Sequence, residues 1–181
     1  MTSSFIDEIF DIFHRYGDLR YGEEVTQLQH VLQAARLARQ DGASDMLVAA
    51  ALLHDIGQFL DDAGNAAERE GVDARHEIIG AAWLSRHFPA ELCEPVRLHV
   101  EAKRYLCAAE PGYSRALSRA SAISLALQGG PMSAGEARTF ETDPFFADAV
   151  RLRRYDDQGK RRDWDVPGLE QYRPLLDALM R

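Results

Sequence analysis

An all-α fold is the expectation for this chain, and three observations carry it. Apolar residues recur three and four positions apart from one end to the other. No stretch alternates apolar and polar residues over the length of a strand. Breaks between the periodic stretches fall at glycine, proline and residues that cap helices.

Phe5, Ile6, Ile9, Phe10 and Phe13 share one helical face, so the first helix is amphipathic and stops near Gly17. His14 lies off that face and reads as a surface residue. A short loop over residues 19–24 leads to a second helix with Val25, Leu28, Leu32 and Ala35 as its apolar stripe and Gly42 as its end. His30 sits beside the stripe, where an ordinary core or surface histidine is the simple reading. Ser44 and Asp45 start a third helix. Its apolar run ends abruptly in His54-Asp55-Ile56-Gly57.

Residues 61–75 turn polar and aperiodic, a loop long enough to rim or cover a site. Asp73 is placed to cap a fourth helix with His76 in its first turn and Ile78, Ile79, Ala82 and Trp83 on its apolar face; Pro89 ends it. His87 near that end reads as a cation for the helix dipole. Pro95 suits the first turn of a fifth helix carrying Val96, His99, Val100 and Lys103.

A helix over residues 113–128 places Ser118, Ser121 and Ser124 on one hydroxyl-bearing face, and Gly129-Gly130-Pro131-Met132 breaks it. Ser133 and Glu136 form a capping box for residues 134–140. Asp143 caps the next helix, which carries Phe145, Phe146, Ala149, Val150 and Leu152. Residues 159–162 make a basic exit, and residues 167–181 a last short helix.

At 181 residues with 46% hydrophobic and 28% charged residues, the chain is expected to be one globular domain that needs no staples. Its net charge of −8 speaks against nonspecific nucleic-acid binding. Cys93 and Cys107 lack a CxxC pattern and read as reduced thiols. Neither a basic-then-apolar leader nor an apolar run of membrane-spanning length occurs. A cytoplasmic protein without membrane contact is the expectation.

The pair His54-Asp55 is the unusual feature, because an apolar run has little reason to bury an imidazole and a carboxylate unless something satisfies them. A metal ion would. Candidate partners follow in order: His30 before the pair, then His76, His99 and Asp156. Two neighbouring metals, with Asp55 between them, would account for that many ligands. Lys103 lies four residues after His99 and so shares its face. It points either to the same cavity or to solvent. Arg153 and Asp156, three apart, form either an ordinary ion pair or two walls of one site.

The longer matches are more selective than the dipeptide. They are Gly22-Glu23 with Val25-Thr26-Gln27-Leu28-Gln29-His30, then His54-Asp55-Ile56-Gly57, then His99-Val100-Glu101-Ala102-Lys103-Arg104-Tyr105-Leu106, then Gln128-Gly129-Gly130-Pro131-Met132 and Arg153 to Asp156. On these the chain resembles the HD-domain superfamily, and within it the phosphonate-degrading di-iron oxygenases related to myo-inositol oxygenase. The resemblance implies a single HD-domain helical bundle over residues 1–181. Its metal-binding core would span about residues 17–160, with helices at 1–16 and 167–181 packed on it.

It also implies two iron ions in a mixed-valent Fe(II)/Fe(III) pair, with O2 as co-substrate. One iron would be held by His30, His54, Asp55 and Asp156, the other by Asp55, His76 and His99. Lys103 and Arg153 match the residues that grip a phosphonate, Ser121 and Ser124 match hydroxyl donors to it, and Glu23 matches a carboxylate that meets a cationic tail. The implied reaction converts a small 1-hydroxyalkylphosphonate and O2 into a carboxylic acid and phosphate.

Two positions depart from the family pattern. The family has a tyrosine two residues before the Gly-Glu pair, able to occupy an iron position until substrate displaces it. Here Arg20 stands at that place and Tyr21 directly precedes Gly22. The family often carries a histidine behind the metal ligands where this chain has Gln58, which hydrogen-bonds but cannot be charged. The rival expectation is a metal-dependent phosphohydrolase acting on a nucleotide or phosphate ester, with Lys103 and Arg153 steadying charge at phosphorus. A sensor that merely keeps the fold predicts missing ligands, and none of the six is missing. The sequence carries no indication of monomer or dimer.

Overall fold

The computed structural model describes residues 4–20, 23–60 and 71–181. Among them are ten α-helices and no strand: α1 (Phe5–Tyr16), α2 (Gln27–Gln40), α3 (Asp45–Leu53), α4 (His76–Leu84), α5 (Ala90–Ala109), α6 (Tyr113–Ala116), α7 (Arg119–Leu127), α8 (Ala134–Phe140), α9 (Phe146–Gln158) and α10 (Arg173–Leu179). Two 3-10 turns, Ile56–Gln58 and Leu169–Tyr172, complete them. No helix among the described residues is long and apolar enough to cross a membrane.

A side-chain cap starts five of the ten described helices. Ser4 with Asp7, Thr26 with Gln29 and Ser133 with Glu136 are reciprocal capping boxes. The Ser44 hydroxyl accepts the Leu47 N–H. Helix α5 is the central strut: α9, α4 and α3 pack on it, and α2 packs on α3 and α9. The apolar face of α1, nearly all of α3 and Tyr172 and Leu176 from the C-terminal segment share the main core. Leu98, Ala102, Met132, Phe140 and Ala149 form a smaller core where α5, α8 and α9 meet. Each large apolar side chain so buried contributes about 1.5–3 kcal/mol.

Several boundaries differ from the sequence expectation. Val25 is buried but precedes the Thr26 cap, so the stripe of α2 starts later. Asp73 does not cap α4; its Oδ1 accepts the Arg75 N–H, and Arg75 itself, at φ 50°, turns the chain into the helix. The face that α4 buries is Glu77, Gly80, Ala81 and Leu84, one position off the expected stripe, with Ala82 exposed. His87 lies three residues past the end of α4 and packs against Phe5, ring centroids 4.1 Å apart.

Helix α5 begins after Pro89, which puts Pro95 in its interior, where it forgoes a hydrogen bond to the Glu91 carbonyl. The helix expected over residues 113–128 is two, because the Ser118 hydroxyl accepts the Ser121 N–H and caps α7 anew. Asp143 accepts the Phe145 N–H, and α9 starts after Phe145. Both cysteines are free thiols, as expected. Residues 61–70 of the expected rim loop lie outside the described residues.

Two close approaches position the site. A Cβ on Gly57 would meet the His76 carbonyl oxygen at 2.0 Å and the Gly80 nitrogen at 2.7 Å. The paired glycines therefore let the turn after His54-Asp55 seat against the first turns of α4. After α7, Gly129 (φ 96°) and Gly130 (φ 70°) make a reversal that other residues resist. Arg104 holds that reversal through Nε to the Gly130 carbonyl, 2.9 Å.

Candidate functional site

Six residues from five segments converge: His30 from α2, His54 at the end of α3, Asp55 just after it, His76 at the start of α4, His99 from α5 and Asp156 from α9. Asp55 stands between two groups. Its Oδ2 lies 3.7 Å from His30 Nε2 and 3.6 Å from His54 Nε2. Its Oδ1 lies 3.3 Å from His76 Nε2 and 3.9 Å from His99 Nε2. Asp156 approaches the first group, its Oδ1 3.4 Å from His30 Nε2.

The donor set fits two metal ions. His30, His54 and His99 each donate Nδ1–H to a backbone carbonyl, of Gly159 (2.9 Å), Ala51 (2.9 Å) and Val96 (2.7 Å). The tautomer is thereby set, and each Nε2 presents a lone pair inward. His30 and His54 then bring two acceptor nitrogens within 3.2 Å, and the acceptor Nε2 of His99 lies 3.2 Å from His76 Nε2. Such pairs repel unless a cation lies between them. Burial works against charge on His30 and His76, yet Asp156 and Asp55 in turn raise both pKa values, marking places that favour positive charge. On His54 burial lowers the pKa; on His99 burial and then His54 and His76 push it well down. Despite burial, Asp55 and Asp156 are held well below the usual carboxylate range by the imidazoles and by Arg153 and Lys160 respectively. Ionised carboxylates and neutral imidazoles are what divalent and trivalent metals take.

His76 is the exception in support. Its Nδ1 faces a carboxylate, Glu77 Oε2, at 3.7 Å. That oxygen is buried without a hydrogen-bond partner, and burial raises the Glu77 pKa.

Beside these six residues opens a cavity of about 240 Å³. Lys103 and Arg153 both line it and are 2% and 3% exposed, so Lys103 faces the cavity and not solvent, while Arg153 and Asp156 are at once an ion pair and two walls of that cavity. Lys103 Nζ donates to Ser124 Oγ at 2.7 Å, and burial, then Arg153, lowers its pKa to about 8. Arg153 pairs with Asp156 at 2.7 Å and with Asp157, and donates through Nε to the Tyr113 hydroxyl.

The two serines differ. Ser124 donates to the Ser121 carbonyl and accepts from Lys103, so it fixes the lysine. Ser121 Oγ accepts from Arg153 (3.3 Å) and Lys160 (3.2 Å), which leaves its own O–H to donate into the cavity. Gln58 lines the cavity from the turn after Asp55. Glu23 lines it too, but its Oε1 already accepts from Ser118 Oγ (2.7 Å) and Lys160 Nζ (2.9 Å). Tyr21 and Gly22 lie outside the described residues. Arg20, in the position of the family tyrosine, is exposed and donates to the Glu24 carbonyl. His14 is exposed on α1, away from the cluster, as the sequence suggested.

Sequence reasoning missed Lys160, Tyr113 and Asp157. Asp157 sits four residues after Arg153, a spacing that could have flagged it. Lys160 follows the end of α9, where helical spacing no longer applies, and Tyr113 reaches Asp157 across 44 residues of chain.

Residues 28–141 match the profile of the HD domain. The chain belongs to the HD-domain family. Its second aspartate ligand candidate, Asp156, falls beyond the matched segment. Among characterised relatives, this HD-domain protein is 42% identical to [1-hydroxy-2-(trimethylamino)ethyl]phosphonate dioxygenase (glycine-betaine-forming) of Leisingera caerulea, over 97% of this chain and 90% of the relative. It is also 42% identical to hydroxymethylphosphonate dioxygenase of Gimesia maris, over 97% of this chain and 88% of the relative. An uncharacterized protein of Acanthamoeba polyphaga mimivirus is 34% identical over 94% of this chain and 80% of its own length.

Proposed function

We propose that this HD-domain protein is a di-iron oxygenase that cleaves the carbon–phosphorus bond of a small 1-hydroxyalkylphosphonate with O2. The observation that carries the reading is 42% identity, over 97% of the chain, to two phosphonate dioxygenases. The site supports it: two His-Asp groups that share Asp55, beside two buried cations. The reaction balances without another reductant, since a carboxylic acid and phosphate together hold two more oxygens than the hydroxyphosphonate.

His30, His54, Asp55 and Asp156 would hold one iron, and Asp55, His76 and His99 the other. Bound there, the pair would supply O2 activation and a Lewis-acid anchor for the substrate oxygens. The chain's own residues do the rest. Lys103, the Arg153 guanidinium and the Ser121 hydroxyl bind and orient the phosphonate dianion. Ser124 keeps the Lys103 ammonium aimed at it. Tyr113 and Asp157 fix the Arg153 fork in one plane.

The test is O2 uptake by iron-loaded protein with hydroxyphosphonates, following phosphate in parallel. Phosphate release that requires O2, one for one, is expected. Release at the same rate without O2 overturns the oxygenase reading in favour of hydrolysis.

A further inference from the structure

We propose that the Glu23–Lys160 ion pair tunes this site to 1-hydroxyphosphonates whose tail carries no charge. The inference rests on the proposed function and specifies the substrate class of that same cavity. Glu23 is the carboxylate that would meet a cationic tail, and Lys160 occupies it. Lys160 Nζ lies 2.9 Å from Glu23 Oε1, 3.2 Å from Ser121 Oγ and 3.5 Å from Asp156 Oδ1. Both side chains are mostly buried, at 13% and 15% exposed, where charge is poorly screened by solvent.

Lys160 cannot swing away to release Glu23 at low cost. Its other two contacts tie it to the serine that donates toward the phosphonate and to the Asp156 carboxylate, and both would lose one of their two cationic partners and keep Arg153. A cationic tail entering here finds a neutral pair with the lysine ammonium facing it, so the Coulomb attraction of Glu23 is cancelled nearby. The Ser118 hydroxyl takes a further share of the same carboxylate oxygen.

The remaining wall agrees. Recognition of a quaternary ammonium relies on aromatic faces. Among the described residues the cavity presents aliphatic side chains instead: Val72, Ala74, Ala120, Ile123 and Leu127. Val72, Ile123 and Leu127 are 58%, 52% and 40% exposed, the large apolar residues most open to solvent among those described. A hydrogen or short alkyl tail covers such surface favourably, whereas an ammonium gains nothing from it. The other acidic side chain at the rim, Asp73, has Oδ1 engaged by the Arg75 N–H.

The experiment is equilibrium binding to iron-loaded full-length protein under exclusion of O2, followed by turnover in air. The probes are hydroxymethylphosphonate, 1-hydroxypropylphosphonate and 1-hydroxy-2-(trimethylammonio)ethylphosphonate. The expected result is a Kd at least about tenfold lower for the two uncharged tails. In Lys160→Met, which frees Glu23, the ratio shifts about tenfold toward the trimethylammonium compound. In Glu23→Gln, which leaves Lys160 only the Asp156 carboxylate that Arg153 already shares, it shifts the other way. Equal or tighter binding of the trimethylammonium compound by the native protein, with turnover of it, overturns this inference and leaves the oxygenase reading standing. No binding or turnover of any of the three overturns both.

Discussion

The His-Asp cluster proposed to hold metal and the cavity wall beside it are both buried and charged, yet they are held in place by different means. Each ligand histidine except His76 is pinned through Nδ1 to a backbone carbonyl, within three residues for His54 and His99. The wall is a side-chain network instead: Lys103 leans on Ser124, Arg153 on Asp157 and Tyr113, Lys160 on Glu23 and Ser121. A ligand anchored to its own backbone keeps its place when a neighbour changes. A wall built of mutual ion pairs does not, so substitutions there should spread along the network while the metals stay bound.

The largest effect should come from Asp55, the residue the two metal groups share. Asp55→Ala is expected to lower bound metal and turnover to background, as read by metal analysis and O2 uptake; retention of both ions would show that Asp55 does not bridge. Next is Gly57→Ala. Its Cβ would press on the His76 carbonyl and the Gly80 nitrogen, both backbone atoms that cannot give way unless the helix itself shifts. Helix α4 and His76 should move away, leaving about one metal ion per chain instead of two, held by the His30 and His54 group.

On the wall, Arg153→Lys keeps a charge but loses the fork. Charge-assisted hydrogen bonds contribute about 1.5–3 kcal/mol, so KM for the phosphonate should rise about 10–100-fold with metal content unchanged. Loss of metal in this variant would mean that wall and cluster are one unit. The smallest effect concerns pH. Burial and Arg153 lower the Lys103 pKa from 10.5 to about 8. The ammonium is present below that value and lost above it, so KM should increase as pH rises through about 8. Lys103→Arg, charged throughout, should lack that rise.

The same division explains what could be read without a structure. Capping boxes at Ser4, Thr26 and Ser133 act within four residues, so their sequence signals survive folding unchanged. The serine at 118 carried the same kind of signal, but a continuous helical pattern hid it. Pro95 and Asp73 misled for the opposite reason: tertiary packing extends α5 through the proline, and Arg75 turns the chain where a side-chain cap was expected. The stripe of α4 was misjudged because its buried face includes Glu77, a residue whose type says surface.

By itself the sequence determined the helical class, because periodicity acts within each helix, and it named six candidate ligands and two candidate cations from residue type, their order along the chain and the family resemblance. Only the tertiary structure decided that Asp55 faces both histidine pairs, that Ser121 and Ser124 have separate tasks, and that Glu23 is already paired. That last contact joins residues 137 positions apart. Helical periodicity carries no information over that distance, and the pairing exists only because α9 delivers the chain back to the loop ahead of α2.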